Sequence, residues 1–283
     1  MKPPPPAAPA EPLFHVAAEW IRAADALVIA AGAGMGVDSG LPDFRGTEGF
    51  WNAYPPFRHL GLSFMDLANP AWFHNDPPLA WGFYGHRLNL YRHTPPHAGF
   101  QILLRWAAAK SAGAFVFTSN VDGHFQRAGF DENRILEYHG SIHRLQRVDE
   151  IAGRIWDARS IRVNVDEAKM RAVGELPRDP LSGELARPNI LMFDDFEWNG
   201  NVTEAQQGRY RQWLDGLTGA RLVVIEMGAG TAVPSVRRNS EHLIARGQTR
   251  LIRINVREPE VPEGQLGLAS GALAALTAID RLI

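Results

Sequence analysis

The segment with the most specific chemical pattern is ADALVIAAGAGMGVDSGLPDFRG at 24–46. Its apolar run at 26–31 is typical of a buried parallel strand. Gly32, Gly34 and Gly36 follow at alternate positions. A strand that runs into a glycine-rich turn lets backbone N–H groups approach a pyrophosphate, although glycines at a strand end also occur in turns that bind nothing. A nucleotide-binding turn and a plain tight turn are therefore the two interpretations.

The residues after the glycines favour cleavage of a dinucleotide over hydride transfer. A Rossmann dehydrogenase continues into a plain amphipathic helix, with an acidic residue about 20 positions further on. Here a PDFRG loop instead supplies the carboxylate of Asp43, the aromatic face of Phe44 and the guanidinium of Arg45. Arg45 would face a phosphate, with a surface ion pair to Asp43 as the alternative.

Polar residues at two later strand ends could carry the reaction itself. Asn120 and Asp122 flank a strand end, where such side chains point into a cleft or form an Asx turn that caps the next helix. His139 follows an apolar strand and precedes Gly140. Because an imidazole titrates near neutral pH, His139 is the best candidate for a general base, and a structural histidine is the alternative.

The elements that must position these residues are apolar, β-rich segments that alternate with segments of helical spacing. The apolar segments lie at 26–31, 114–118, 134–138, 189–193, 222–227 and 251–256, and the helical spacing at 97–110 and 203–217. This alternation predicts an α/β fold with a doubly wound parallel sheet. Each candidate motif follows the carboxyl end of a strand, the edge at which such sheets bind ligands. Segments at about 52–96 and 144–186 break the alternation and are predicted to be inserts, the first a helical or cofactor-covering one.

Length and composition agree with this architecture. The chain has 283 residues, enough for one large domain with a smaller insert. Its net charge of −2 gives no electrostatic reason to expect nucleic acid or an acidic membrane surface as a partner. The Pro- and Ala-rich residues 1–11 lack an apolar signal region, so we expect a disordered tail and a cytoplasmic protein. The chain has no cysteine, which excludes disulfides and thiolate chemistry.

Six motifs, in the same order along the chain, resemble those of the sirtuin (Sir2) family. The matching segments are the glycine loop and PDFRG at 32–46, Ser119-Asn120-Val121-Asp122, His139-Gly140, Arg187-Pro188, Gly228-Ala229-Gly230 and Ile254-Asn255. The resemblance implies a Rossmann-like catalytic domain over 12–283. It also implies NAD-dependent removal of an acyl group from protein lysine, with acetyl as the acyl group and succinyl or malonyl as further candidates. The products would be free lysine, nicotinamide and O-acyl-ADP-ribose.

The resemblance also implies roles for individual residues. His139 would deprotonate a ribose hydroxyl, Asn120 would hold the nicotinamide ribose, and Asp122 would bind the carboxamide. Phe44 would shield the reacting ribose carbon from solvent and from returning nicotinamide. The implied NAD contacts are Gly32, Ala33, Gly34, Asp43, Phe44, Arg45, Ser119, Asn120, Asp122, Gly228, Ala229, Gly230, Asn255 and Leu268.

Two further segments bear on the substrate, an acyl-lysine protein or peptide. Trp81–Arg87 resembles the Tyr-x-x-Arg segment of class III sirtuins, which bind acidic acyl groups. Tyr84 and Arg87 lie three apart, on one helical face, and a phenol with a guanidinium can hold a carboxylate. The alternative is an amphipathic helix with buried aromatics and a solvated arginine. Phe193-Asp194-Asp195 replaces the family's Phe-Gly-Glu beside the peptide-binding strand, and its two carboxylates predict a preference for basic peptides.

The second insert departs from the family, whose members carry a small zinc ribbon there. The four zinc cysteines are replaced by Arg147, Glu150, Asp179 and Ser182, which do not form a plausible zinc set. We therefore predict a metal-free insert. Apolar burial is expected to stabilise it, through Ile151, Ile155, Trp156, Ile161, Val163, Val165 and Leu176.

Two other functions stay open, and the oligomeric state is not predicted. An ADP-ribosyltransferase or NAD glycohydrolase is favoured by Ser119, which replaces a glutamine of the family, and by the altered insert. His139 and the Tyr84–Arg87 pair argue against it. An NAD-sensing module without turnover is supported only by Gly230, which removes a hydroxyl from the phosphate loop.

Overall fold

The structure is a computed structural model that describes residues 11–42 and 46–283. The tail at 1–10 and the predicted NAD contacts Asp43, Phe44 and Arg45 lie outside the described residues. The first helix begins at Glu11, one residue inside the predicted tail.

Eleven strands are found in the described residues, six of them in one sheet. The strands are β1 (Ala26–Ala31), β2 (Ala114–Thr118), β3 (Ile135–Glu137), β4 (Gly140–Arg147), β5 (Trp156–Asp157), β6 (Asn164–Asp166), β7 (Arg171–Val173), β8 (Ala186–Ile190), β9 (Leu222–Met227), β10 (Thr249–Ile254) and β11 (Leu266–Leu268). The six-stranded sheet has the order β11-β10-β9-β1-β2-β3. All of its strand pairs are parallel, which confirms the predicted α/β sheet.

Helices cover both faces of this sheet and form most of the first insert. They are α1 (Glu11–Ala23), α2 (Gly34–Val37), α3 (Gly46–Ala53), α4 (Pro55–His59), α5 (Phe64–Leu67), α6 (Ala71–Asn75), α7 (Pro77–His93), α8 (Ala98–Ala108), α9 (His124–Arg127), α10 (Asn201–Asp215), α11 (Ser235–Ile244) and α12 (Ala272–Asp280), with a 3-10 turn at Glu132–Arg134. The insert predicted at about 52–96 is helical and begins earlier, at Gly46. No helix in the described part of the chain is long and apolar enough to cross a membrane.

The central strand β1 shows why both faces must be covered. All six of its residues are buried. Leu27, Ile29 and Ala31 pack in the core under α1, α8 and α12, whereas the alternate residues pack under α10 and α11. Because successive side chains of a strand point to opposite faces, a continuous apolar run requires a layer of helices on each side.

The predicted strand at 189–193 is not part of the parallel sheet. The observed strand is β8, which pairs antiparallel with β4 in a three-stranded sheet of order β5-β4-β8. This smaller sheet belongs to the second insert, with β6 and β7 as a separate hairpin. The prediction was wrong because an apolar run indicates burial but not the partner strand.

The second insert packs directly against α7. A Cβ atom on Gly82 would lie 2.0 Å from the carbonyl oxygen of Met170, and one on Gly85 would lie 2.4 Å from Cγ1 of Val163. The side chain of Arg92 donates to the carbonyl oxygens of Ile161 and Ala158, at 2.7 and 2.6 Å. The two glycines thus allow the insert to approach the helix that carries Tyr84 and Arg87.

Candidate active site

The turns after β1 and β9 are in direct contact. The backbone N–H of Gly34 donates to the carbonyl oxygen of Gly228 at 3.0 Å. A Cβ on Gly32 would lie 2.7 Å from Cα of Ala229, and one on Gly228, at a φ of 60°, would lie 2.4 Å from Cα of Gly34. These glycines are therefore needed for the two turns to come into contact, as well as for a ligand to reach the backbone. Ala33 is exposed, at the outer side of the turn.

The turn after β2 joins the same site. The amide of Asn120 donates to the carbonyl oxygen of Gly32 at 3.0 Å, and its backbone N–H donates to Oγ1 of Thr118 at 3.0 Å. The backbone N–H of Ser119 donates to the carbonyl oxygen of Ala31 at 3.1 Å. The carboxyl ends of β9, β1 and β2 thus bring together the predicted contacts of one ligand.

Asp122 forms the Asx turn that was the alternative for this residue, with Gly123 as the N-cap residue of α9. Its Oδ1 accepts the backbone N–H of His124 at 2.8 Å, at the start of α9. The Asp122 carbonyl oxygen accepts Nε2–H of His143 at 2.8 Å. The residue is 6 % exposed. One carboxylate oxygen therefore has a structural role at the edge of the cleft.

His139 lies just after β3 and opposite the start of α11. Its Nε2 is 3.2 Å from Oγ of Ser235. Burial lowers the pKa of His139, and a hydrogen bond to the Ser119 backbone partly offsets this effect. The imidazole is therefore neutral at pH 7, the state that a general base requires. Ser235 was not predicted, because only the fold brings residue 235 next to residue 139.

The glycine after His139 is required by the neighbouring strand. Gly140 has a φ of 77°, and a Cβ there would lie 2.2 Å from the carbonyl oxygen of Asn189. The backbone N–H of Leu191 donates to the His139 carbonyl oxygen at 3.0 Å. The end of β8 therefore fixes the backbone on which the imidazole is mounted.

Asn255 and Leu268 lie behind the turn after β9 and are both buried. Nδ2 of Asn255 donates to the carbonyl oxygen of Ala229 at 2.7 Å, and its backbone N–H donates to the Leu268 carbonyl oxygen at 3.0 Å. The Leu268 side chain is fully buried in the core, and Asn255 is 2 % exposed. Asn255 thus holds the turn after β9, and Leu268 holds the backbone of Asn255.

The outer part of this turn contacts a carboxylate, that of Glu258 after β10, which the sequence did not single out. Gly230 lacks a side chain, but the next residue, Thr231, donates from Oγ1 to Glu258 at 2.6 Å. Arg237 donates from Nε to the Ala229 carbonyl oxygen at 3.1 Å and also contacts the Glu258 backbone. The Arg237 guanidinium is therefore held against the turn, with the Glu258 carboxylate 3.8 Å away as its ion-pair partner.

Tyr84 and Arg87 are both buried on α7. The Arg87 guanidinium donates from Nε and Nη2 to the Tyr91 hydroxyl at 3.1 and 2.8 Å. Its central carbon lies 5.2 Å from the centre of the Phe83 ring. The alternative of a solvated arginine is wrong, since Arg87 is only 6 % exposed.

The hydroxyl of Tyr84 is buried and has no hydrogen-bond partner among the described residues. Burial raises the pKa of Tyr84 to about 12, although the nearby Arg87 and Arg187 oppose this shift. The phenol is therefore neutral and able to donate a hydrogen bond. A buried donor without an acceptor is costly, so it indicates a group that a bound ligand would complete.

The Phe193-Asp194-Asp195 segment is only partly as predicted. The backbone N–H of Phe193 donates to the Ala68 carbonyl oxygen at 2.8 Å, and Asp194 is exposed. The Asp195 side chain is fully buried and forms an ion pair with Arg187. It also accepts the backbone N–H of Met192 at 3.1 Å. Asp195 thus stabilises the loop from inside and does not present its carboxylate to a peptide.

Comparison with known proteins identifies the family. A sequence model described as "Sir2 family" matches residues 32–205, more than half of the chain. The chain belongs to the Sir2 family. This confirms the resemblance found in the sequence.

Individual relatives and a solved structure agree with this assignment. An NAD-dependent protein deacylase of Deinococcus radiodurans is 31% identical over 181 residues, which are 62% of this chain and 65% of that protein. The chain thus spans slightly less than two thirds of that relative. NAD-dependent protein deacylase 1 of Caldanaerobacter subterraneus subsp. tengcongensis is 28% identical over 211 residues, 75% of this chain and 78% of that protein.

The fold is shared with a solved "Sir2 homologue S24A mutant-ADP ribose complex". The TM-score is 0.70 at 24% identity, and the match covers 94% of this chain and 95% of the other. At this identity the likeness concerns the fold alone. It confirms the Rossmann-like architecture of this Sir2 family protein.

The residues at the family's zinc positions do not fit a zinc ion. Arg147 lies between the carboxylates of Glu150 and Glu184 and forms ion pairs with both. Asp179 accepts from Arg154 at 2.7 Å and from the backbone N–H of Leu181 at 2.9 Å. A guanidinium has no lone pair to offer a metal, and the carboxylates are already engaged.

The apolar residues predicted to hold the second insert do so only in part. Val163 is 4 % exposed, whereas Ile151 is 57 % exposed and does not belong to the core. The residues Trp156, Ile161, Val165 and Leu176 are partly buried against the core under α7. The insert is thus stabilised mainly through the face that packs on the helical segment.

Proposed function

We propose that this Sir2 family protein removes acyl groups from lysine side chains of proteins while it consumes NAD. The observation that carries the proposal is the position of His139. Its neutral imidazole is hydrogen-bonded to the backbone of Ser119, in the turn after β2, and lies 3.2 Å from Ser235, at the start of the helix that follows β9. The activity and the cofactor expected from the sequence are also those in the names of the relatives.

The proposed roles follow from the positions of the side chains. Bound NAD would supply the ribose carbon that the acyl oxygen attacks as nicotinamide leaves. His139 would accept the proton of a ribose hydroxyl, because burial keeps its ring unprotonated. Ser119 and Asn120 are half-buried at the cleft, so they are proposed to bind the ribose. The roles of Asp43, Phe44 and Arg45 stay predictions from the sequence, as do the cytoplasmic location and the lack of nucleic-acid partners.

Acidic acyl groups are proposed as substrates besides acetyl. A carboxylate that leaves water needs a matched cation, and Arg87 provides one in an aromatic environment. The unpartnered hydroxyl of Tyr84 would be a second donor for the same carboxylate. A neutral acetyl group gains nothing from either side chain.

Mass spectrometry of the NAD products tests the proposal. We expect nicotinamide and O-acyl-ADP-ribose only when an acetylated or succinylated peptide is present. The same incubation with the His139→Ala variant is the control and should yield little of either product. Nicotinamide release without peptide would indicate an NAD glycohydrolase, and ADP-ribose attached to protein would indicate a transferase. NAD binding without any product would indicate a sensor; each of these three results would overturn the proposal.

A further inference from the structure

A groove of about 320 Å³ opens beside the loop of Phe193 and Asp194. Its opposite wall comes from the first insert and includes Asp66 and Trp72. None of the roles considered so far involves this wall. The hydrogen bond from Phe193 N–H to the Ala68 carbonyl oxygen, at 2.8 Å, ties the two walls together.

The groove lies next to the aromatic side chains that surround Arg87. The Phe193 ring lies 6.2 Å from the ring of Phe64, centre to centre, in an edge-to-face arrangement. The guanidinium carbon of Arg87 is 5.8 Å from the centre of the same Phe64 ring. One aromatic ring therefore separates the proposed acyl pocket from the wall of the groove. A peptide whose acyl-lysine reaches Arg87 would place a neighbouring residue over the groove.

The chemistry of the groove suits a cationic side chain. Asp194 is exposed, and hydrogen bonds from Ser63 lower the pKa of Asp66, which keeps the Asp66 carboxylate charged at pH 7. The indole of Trp72 donates from Nε1 to the Asp66 carbonyl oxygen at 2.7 Å, which fixes the ring in the same wall. Two carboxylates beside an aromatic ring can attract a lysine or arginine through charge and through the π face.

Asp194 occupies an unusual backbone conformation. Its φ is 55°, a value that favours glycine, and the corresponding residue of the family motif is glycine. A glycine would therefore suit the backbone at this point. The carboxylate at this position is the feature of the loop that a basic peptide could recognise.

We propose that this groove binds a lysine or arginine side chain next to the acylated lysine of the substrate, with Asp194 as a specificity-determining residue. The inference rests on the proposed deacylase function. It narrows the substrate class to acylated lysines in basic sequence contexts.

Binding of labelled acetyl-lysine peptides, measured by fluorescence anisotropy, tests the groove without requiring turnover. The peptides carry arginine, alanine or glutamate at one flanking position at a time. At one or more positions we expect the arginine peptide to bind roughly two- to fivefold more tightly than the alanine peptide, the size of an exposed ion pair. The difference should decrease as salt is added, because exposed charges are screened.

The Asp194→Gly variant should lose this preference while it keeps its affinity for the alanine peptides. Glycine is compatible with the backbone conformation, so the variant should fold. Glu263→Gln is the matched control, since it removes one negative charge from an exposed residue outside the groove. Equal affinity for arginine and glutamate peptides at every position, or an arginine preference that persists in Asp194→Gly, would overturn the inference. Loss of the deacylation products with the arginine preference intact would instead contradict the proposed function.

Discussion

Nε2 of His139 lies 3.2 Å from Oγ of Ser235, although 96 positions separate the two residues in the chain. This contact connects the end of β3 to the start of α11. It places the proposed base opposite the turn after β9. The imidazole is oriented by two partners, the hydroxyl of Ser235 and the backbone of Ser119.

Replacement of the base should separate catalysis from folding. His139→Ala is expected to lower kcat for deacylation by roughly 10²–10⁴-fold, the usual contribution of a general base. Its thermal unfolding and its NAD affinity, measured by calorimetry, should stay close to those of the wild type. Ser235→Ala is the matched variant and should lose much less activity, because it removes only an orienting partner. Near wild-type turnover of His139→Ala on all acyl peptides would remove His139 from the mechanism.

The buried histidines should make the fold less stable in acid. Burial lowers the pKa values of His97, His139 and His143 in the folded state. In the unfolded chain a histidine titrates near its ordinary pKa of about 6.5, so the unfolded state binds more protons below that pH. The contribution of these histidines to the free energy of unfolding should therefore have its full value above about pH 6.5. It should decrease as the pH falls below that value.

Urea unfolding at pH 7.5, 6.5 and 5.5 measures this dependence. In the His139→Ala variant the loss of stability between pH 6.5 and 5.5 should be smaller, because one of the contributing groups is gone. An unfolding free energy that does not change over this range would contradict the prediction.

The second insert should fold without metal. A structural zinc ion contributes on the order of 10–16 kcal/mol in small finger peptides, whereas an exposed ion pair contributes at most about 1 kcal/mol. The ion pairs of Arg147 are too weak to supply the stabilisation that a zinc ion would give. Apolar burial can supply it, because each large buried side chain contributes roughly 1.5–3 kcal/mol. Purified protein should contain no stoichiometric zinc by elemental analysis, and a chelator should leave its Tm unchanged. Unfolding on chelation would show that a metal is required.

The contact between α7 and the second insert predicts a specific rescue. Gly85→Ala would place Cβ 2.4 Å from Cγ1 of Val163, and overpacking of this kind costs roughly 1–3 kcal/mol. The Gly85→Ala/Val163→Ala double variant removes Cγ1 of Val163 but keeps its Cβ, at 2.8 Å from the new Cβ, so it relieves part of the clash. The two effects on the unfolding free energy should therefore be less than additive.

Gly82→Ala is the matched control for this rescue. Its Cβ would meet the backbone carbonyl of Met170 at 2.0 Å, which no truncation of a side chain relieves. Chemical denaturation of the wild type, the three single variants and the two double variants that combine Val163→Ala with a glycine substitution gives the comparison. Equal rescue of both glycine variants by Val163→Ala would show that the insert moves as a whole instead.

Acyl preference should depend on the buried cation. Arg87→Met keeps an apolar stem but removes the charge, so it should lower kcat/KM for a succinylated peptide far more than for an acetylated one. Each lost charge-assisted hydrogen bond corresponds to roughly 1.5–3 kcal/mol.

Tyr84→Phe is a milder variant of the same test, because it removes only the hydroxyl and leaves the ring. It should lower desuccinylation selectively, with little change in stability, since that hydroxyl has no partner among the described residues. A parallel decrease of both activities in Arg87→Met would mean that Arg87 has a structural role and that the acidic-acyl prediction is wrong.

The sequence was sufficient to predict features that depend on local pattern. The apolar runs of β1, β2 and β9 and the turn residues that follow them identified the parallel sheet and the edge at which the candidate site lies. Patterns of this kind are readable because burial on both faces demands a continuous apolar strand, and a tight turn demands glycine.

Pairings between distant segments were decided only by the tertiary structure. The apolar run at 189–193 predicted a strand, but only the fold placed β8 beside β4, with Gly140 as the close point of contact. The sequence predicted that Asp195 would be accessible to a peptide, whereas in the fold its side chain is buried in an ion pair with Arg187. Side-chain type determines which contacts are possible, whereas burial and the choice of partner depend on residues that are far apart in the chain, so residue 235 could meet residue 139 only in the folded molecule.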